Sequence, residues 1–529
     1  MGIYRYTASA DNTITNAFRS SLAFRGTGSN MGAADVLESF YISGQTSSSS
    51  GLSSEKSRIL INFPFADIET ERSSSIPVIP ASGNVSWYLR MYNARHASTL
   101  PKKFYMSVQP LSASWQEGDG LDMDEYTDQT YGVLTGSNWV VSSLGTSWTS
   151  QGGDIIPDGE GDDTVTGVAY FTDGTEDLEV DISHMVEEML HNSGSGLARY
   201  GFLVKLSGSY ETGSHTYYTK KFFSRSSEYF FKRPVLEARW DSSDKDRTGN
   251  FYGASSFASR DDNVNTIYLY NYVRGQLKDI PDLTDNLIYV SFHSGNADNS
   301  AVAENAARLS IRNKGQNNGS TSTHIVGGKK SLGIYTASVI YPAALPTTPA
   351  EADPSTIFPV WQNSVSGLSS GAGIKYHTGS AISVKDLNAS NFNTNPSYVT
   401  DVTNLKSLYS KDENARFRLY IREKDWNPTI YTVANTEIEN YIVEDAYFKL
   451  FRIVDDMEII GFGTGSASTP QQTGSAGSYT RLSYDISGNY FDFNMDMLEA
   501  GYAYGLKFAY YTNGRYDVQP EVFKFRVED

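Results

Sequence analysis

Val85-Ser-Trp-Tyr-Leu-Arg-Met-Tyr-Asn93 sets the fold class. Apolar and polar side chains alternate along it, with Trp87 and Leu89 on one face and Tyr88 and Arg90 on the other. That period of two belongs to a half-buried β-strand. The pattern recurs outward in both directions. Ser57–Phe65 (SRILINFPF), Lys103–Leu111 (KFYMSVQPL), Tyr200–Leu206 (YGFLVKL) and Pro234–Trp240 (PVLEARW) read as strands of the same kind. One segment breaks the period. Asp181–Asn192 (DISHMVEEMLHN) places Ile182, Met185, Val186, Met189 and Leu190 on one helical face, with Asp181 as N-cap and Gly194 past its end. A common core is expected to hold Leu60, Ile61, Phe63, Trp87, Leu89, Phe202 and Val204.

The same features in fixed order carry a family resemblance. Thr7-Ala-Ser-Ala-Asp-Asn12 precedes Asn30-Met31-Gly32, and Arg58–Phe63 follows. Then come the turn Ser114-Trp115-Gln116-Glu117-Gly118, the short helix, Gly201-Phe-Leu-Val204, Phe223-Ser-Arg-Ser226 and Arg233-Pro-Val-Leu-Glu237. This order resembles the DNRLRE-type jelly-roll modules, relatives of carbohydrate-binding β-sandwiches, with Trp115 to Gly118 standing for the family's W-x-E-G. The resemblance covers somewhat under half the chain and implies a jelly roll over residues 1–240; it implies no activity. Ser226 departs from the pattern, since the family usually has an acidic residue there.

Beyond Trp240 the polar run Asp241–Asn250 reads as a linker. Thr266–Arg274 (TIYLYNYVR), Leu287–Phe292, Ala307–Ile311 and Tyr335–Tyr341 predict a second sandwich over residues 251–345. Residues 346–414, Pro-rich at first and then Asn/Ser-rich, read as an insertion or a small domain. Ala415–Glu423 and Ala446–Val454, with strands up to Val527, predict an immunoglobulin-like sandwich over 415–529. In it Tyr502 and Tyr504 resemble a tyrosine corner. Thr464–Ser478 is read as a long loop. The fold class is therefore mainly β, tandem antiparallel β-sandwiches with one short helix near 181–192.

Composition narrows the function. With 36 Tyr and 26 Phe in 529 residues, the chain has the apolar content to fold, at roughly 100–200 residues per domain. Cysteine is absent, which excludes disulfides, thiolate metal sites and a cysteine nucleophile. The start lacks the apolar core of a signal peptide, and no apolar run reaches a membrane span, so no membrane insertion is expected. A net charge of −18 without a basic cluster argues against direct nucleic-acid binding.

Candidate chemistry is sparse. Asp119, Asp122 and Asp124 lie in a Gly-containing acidic turn that could wrap calcium, the one cofactor the sequence leaves open; the alternative is an exposed charged turn. Asp158–Asp163 carries the same ambiguity. Trp139 and Trp148, in a long loop region, are candidate glycan-stacking rings, with burial as the alternative. His184 and His191 are two helical turns apart, too far to chelate one ion. Gly367-Leu-Ser-Ser-Gly371 matches G-x-S-x-G but lacks the flanking strand and helix that would give it meaning. No Walker A, Rossmann glycine or repeat pattern occurs. No enzymatic activity is expected.

Sandwiches in series without a leader segment point to a structural protein of a bacteriophage virion, a neck, collar, tail or capsid-decorating component made in the host cytoplasm. Its expected partners are other virion proteins and copies of itself. A host-glycan-binding adhesin or fibre, reading a host surface glycan, is the first alternative. A polysaccharide-degrading enzyme with an accessory jelly roll is the second. Tyr504–Tyr511, with a single Lys, is read as a poorly guarded edge strand flanked by apolar Ile442, Phe448, Leu450 and Phe451, which a neighbouring copy would cover.

Overall fold

A computed structural model describes residues 2–19, 23–47, 51–74, 79–96, 102–130, 136–157, 166–191, 197–213, 216–281, 283, 286–294, 308–313, 322–341, 356–363, 374–385, 395–425, 440–463 and 478–529. The fold is mainly β, in tandem antiparallel sandwiches with a few short helices. The chain forms two compact units, one built on Gly2–Asp241 and the other on Ser242–Pro470 with Thr480–Asp529.

In the first unit a four-stranded sheet runs in the order Ile3–Thr7, Val235–Arg239, Ser86–Met91, Leu178–Asp181. A seven-stranded sheet packs on it, in the order Tyr217–Phe223, Val36–Ser47, Gly51–Asn62, Phe202–Leu206, Phe104–Pro110, Gly167–Phe171, with Ala10–Thr15 also paired to Gly51–Asn62. Every pairing is antiparallel. Alternation explains the core. Trp87, Leu89 and Met91 from one sheet meet Ile59, Ile61, Met106, Val108, Phe202 and Val204 from the other, all fully buried. Leu60 is equally buried but sits on the opposite side of its strand from Ile61. It joins a second cluster with Ile14, Leu111, Trp139, Trp148 and Leu203 under the long loop region. One strand thus serves two cores, because period-two geometry forbids neighbours from sharing a face.

The expected helix is Ser183–Leu190, and it buries Met185, Val186, Met189 and Leu190. Asp181 stands one residue before the N-cap position, where its carboxylate accepts from the Ser183 backbone N–H at 2.9 Å. A helix over Phe65–Arg72 replaces the end of the strand read through Phe65. The strand stops at Asn62, and Pro64 opens the helix, which buries Phe65 and Ile68. The helices are tied by Glu187, which accepts both guanidinium N–H groups of Arg72 and the Trp87 indole N–H.

In the second unit nine strands form one sheet, running from Phe251–Tyr252 through Ile382–Lys385, Thr356–Gln362, Leu287–Ser294, Ile325–Ser331 and Ile334–Ile340 to Asn265–Tyr270. Phe251 from one end and Ile267 from the other share a core with Ile288, Val290, Phe292 and Trp361, so the sheet folds over on itself. The described residues of 346–414 divide between the middle sheet and the last sandwich. Thr356–Gln362, Lys375–Thr378 and Ile382–Lys385 complete the middle sheet, while Tyr398–Val402 and Leu408–Ser410 belong to the last sandwich. The polar composition hid the shortest of these strands, such as Ile382–Lys385 and Leu408–Ser410, which bury one residue each, Ile382 and Tyr409.

The last sandwich packs Tyr398–Val402, Asn414–Glu423, Gly488–Asn494 and Ser483–Asp485 against a six-stranded sheet led by Ala503–Thr512 and Ala446–Arg452. Phe491 stacks on Phe417 of its own sheet at 5.0 Å and on Phe448 of the facing sheet at 4.4 Å. The Tyr504 hydroxyl donates to the Glu499 carbonyl at 2.6 Å, the geometry of a tyrosine corner. Tyr502 lies outside it, about a third exposed. Ala503–Thr512 is no edge strand. It pairs with Ala446–Arg452 on one side and with Arg515–Val518 and Phe523–Glu528 on the other, and Tyr504, Leu506, Phe508 and Tyr510 are fully buried. Its lack of charged guards reflects its interior position, and it leaves no open edge there for a neighbouring copy to cover.

The run after Asp241 is not a free linker. Its Asp244 carbonyl accepts from Tyr484 N–H at 2.9 Å, Asp246 N–H donates to the Tyr484 carbonyl at 3.0 Å, and Arg247 pairs with Glu444 at 2.8 Å. The run is therefore strapped to the last sandwich. Among the described residues no helix is long and apolar enough to cross a membrane.

Candidate functional site

The residues that carried the family resemblance converge. Asp11 and Asn12 lie on the strand Ala10–Thr15, Asn30 and Glu117 on loops, and Arg225 just past Tyr217–Phe223. Glu117 grips Arg225 through two 2.5 Å contacts and accepts the Asp11 backbone N–H at 2.8 Å. The Arg225 backbone N–H donates to the Asp11 carboxylate at 2.7 Å. Asn30 donates to the carbonyls of Glu117 and Ser137 and accepts from Gly32 and Gly120 N–H. Asn12 donates to Ser137 and accepts from Met31 N–H. Gly118 and Gly136 hold positive φ around the Asn30 amide, where an added Cβ would come within 2.4 Å of it. This polar knot joins segments from both ends of the unit. The missing acid at Ser226 is immaterial to it, because Arg225 takes its carboxylate from Glu117. Burial, with the nearby Glu117 charge, pushes the Asp11 carboxyl up to about 7, against the Arg225 contacts, and its Oδ1 is buried without a hydrogen-bond partner.

The acidic turn is organised by its own backbone. Asp122 accepts N–H bonds from Asp124, Glu125 and Thr127, plus the Thr127 hydroxyl, and these hold its carboxyl down at about 2 despite the opposing desolvation. Asp128 accepts from Leu121 and Asp122 N–H. Asp119 and Asp124 are exposed. Among the described residues no three His, Asp or Glu side chains gather to hold a metal. The second acidic stretch, Asp158–Asp163, and Ser369 of the G-x-S-x-G match lie outside the described residues.

Trp139 and Trp148 are not glycan platforms. Each is 5% exposed, and the Trp148 indole donates to the Asn138 carbonyl at 2.8 Å. Arg58 covers the Trp139 ring at 5.2 Å. Trp115 packs at the margin of the same cluster, its indole N–H on the Tyr200 carbonyl.

Two features escaped the sequence reading. The first is an open aromatic face. Tyr105 and Tyr170 face each other across the pairing of Phe104–Pro110 with the edge strand Gly167–Phe171, ring centroids 4.6 Å apart, with Tyr210 6.1 Å from Tyr105. They are 41% and 48% exposed, and Val168 beside them is 52% exposed. Alternation required Phe104, Met106, Ala169 and Phe171 to turn inward, so these residues had to turn out.

The second is a cleft of about 410 Å³ within the second unit. Strand Asn265–Tyr270 and the hairpin after it supply Tyr268, Tyr270 and Tyr272 at every second position, one side of TIYLYNY. The last sandwich supplies Arg416, Arg418, Asp485, Ile486 and Tyr490, and the strap supplies Asp246. Arg418 is held bidentately by Asp485, and Arg416 by Asp492. Both guanidinium groups lie over Tyr490, at 5.2 and 4.6 Å. Asp246 is buried, which raises its carboxyl to about 6 against the lowering bonds from Thr248. No spacing signal in the sequence could join residues this far apart.

No family model matches the chain, and no curated protein matches it. Among solved structures, a Salmonella alpha-2-macroglobulin mutant (Y1175G) aligns at 8% identity with a TM-score of 0.14, over 94% of this chain and 26% of that one. The chain thus spans about a quarter of that protein's length.

Proposed function

We propose that the protein is a non-enzymatic structural component of a bacteriophage particle, a neck, collar, tail or capsid-decorating protein that works through contacts with other virion proteins and copies of itself. The observation that carries this reading is the Tyr105–Tyr170–Val168 face at an edge strand. Tyrosines supply large, rigid contact area, and edge strands left open invite a partner. The polar knot and the buried tryptophans support it further, since the residues that looked functional are spent on rigidity. The resemblance of residues 1–240 to DNRLRE-type modules fits a scaffold of this kind, and the −18 charge suits solubility before assembly. The test is incorporation of Tyr105→Lys/Tyr170→Lys into particles. The double variant should fold normally and be lost from purified particles; wild-type incorporation would refute the role of this face.

A further inference from the structure

We infer that the cleft of the second unit is a binding site for a neutral saccharide, a mono- or disaccharide unit of a larger glycan. This goes beyond the particle reading and stands independently of it.

The size comes first. A volume of about 410 Å³ falls at the small-ligand end of natural pockets, which span roughly 300–1,000 Å³. A folded protein segment would need a longer groove.

The lining decides the chemistry. One wall is the row Tyr268, Tyr270 and Tyr272, and the first two rings lie within 17° of parallel at 6.1 Å. Tyr272, at 58% exposed, stands at the mouth, and Ile486, 63% exposed, stands in the facing wall. Flat rings offer apolar faces to the C–H faces of a sugar while their hydroxyls meet polar groups. The other wall holds two guanidinium groups and two carboxylates, Arg416, Arg418, Asp485 and Asp246. Arg416 and Arg418 are each already held by a carboxylate, so the cleft has no uncompensated positive charge for a phosphate or sulfate. The same two guanidinium groups oppose an organic cation, and they already occupy the Tyr490 ring it would seek. What remains suits a ligand that both donates and accepts hydrogen bonds and carries no charge. A fixed Arg–Asp pair presents donors and acceptors side by side, the arrangement that neighbouring hydroxyls of a sugar ring require. Thr248, His377 and Ser380 add further polar groups. The Tyr270 hydroxyl, in the same wall, is buried without a hydrogen-bond partner.

The test uses the full-length protein on an array of neutral, sialylated, sulfated and amino-sugar glycans. Saturation-transfer NMR with free glucose, galactose and N-acetylglucosamine follows. Neutral glycans should bind, and Tyr272→Ala and Arg416→Gln should each weaken binding at least tenfold with unchanged melting. Tyr272 is exposed on a hairpin, so its variant keeps the test valid if Arg416→Gln fails to fold. Binding to no glycan, selective binding of charged glycans, or neutral-glycan binding that survives Tyr272→Ala would each overturn the inference.

Discussion

Replacing Glu237 by Gln should destabilise the first unit by about 3–5 kcal/mol, the usual cost of stripping one partner from a buried ion pair. Glu237 is fully buried in the strand Val235–Arg239 and contacts Arg5 at 2.6 Å, Arg239 at 2.6 Å and Arg90 at 3.2 Å. The variant keeps the shape and removes the buried negative charge at the centre of this cluster. Of the three guanidinium groups, Arg90 and Arg239 then keep their contacts with Glu179, which is 42% exposed. Arg5 loses its 2.6 Å contact with Glu237. Leu236 and Ala238 on the same strand face the sandwich core, so Glu237 and its guanidinium partners lie on the opposite face of the sheet, where the charge is nonetheless fully buried. At roughly 3 °C per kcal/mol for a unit of this size, melting should fall by about 10–15 °C. Tryptophan fluorescence in urea is the assay, because Trp87, Trp115, Trp139, Trp148 and Trp240, five of the seven, lie in this unit. The loss should persist in high salt, since buried charges are little screened. The three guanidinium groups hold the Glu237 carboxyl far below the usual carboxylate range, against the desolvation that opposes them. A lowered folded pKa gives stability that is present above the unfolded value near 4.3 and is lost as pH falls below it. The gap between wild type and variant should therefore narrow only in acid. A loss under 1 kcal/mol at neutral pH would refute the claim that this cluster depends on its central charge.

Three further outcomes follow from the same geometry. Asp11 has a raised carboxyl, so the folded state binds its proton more tightly and the first unit gains stability as pH falls from about 7 toward 4. Asp11→Asn should remove that slope and stabilise the unit above pH 7 by at most about 4 kcal/mol, read from melts across pH. Trp139→Ala should cost about 3–5 kcal/mol by opening a cavity in the second cluster, and should leave glycan binding as it was. Millimolar calcium should not shift the melting of the first unit relative to chelator, because the Asp122 carboxylate is already saturated by its own turn; a rise of several degrees would restore a metal role for Asp119, Asp122 and Asp124.

Strands with one buried face were legible, because alternation reports which side of a sheet is dry: Trp87, Leu89, Phe202 and Val204 all lie where the pattern placed them. The helix Ser183–Leu190 was legible for the same reason at period 3.6. Alternation does not say which neighbour a strand takes. Ala503–Thr512 reads the same at an edge as in the interior, and only the pairing distinguishes them. Nor does it say whether a buried face meets the main core or a secondary one, so Leu60, Trp139 and Trp148 were misplaced. Short strands in polar sequence, Lys375–Thr378 and Leu408–Ser410, carry too few apolar residues to announce themselves. The Asp11–Glu117–Arg225 knot was visible as an order of motifs and not as a contact, because its members are over a hundred residues apart. The cleft needed the strap and both modules of the second unit in place before its residues became neighbours.

The most direct test of the account is quantitative mass spectrometry of purified phage particles from the host that makes this chain. The account predicts the full-length protein in the particle fraction, in a fixed copy number that survives stringent washing and disappears with Tyr105→Lys/Tyr170→Lys. Its absence from particles, or a trace amount that washing removes, would contradict the central claim.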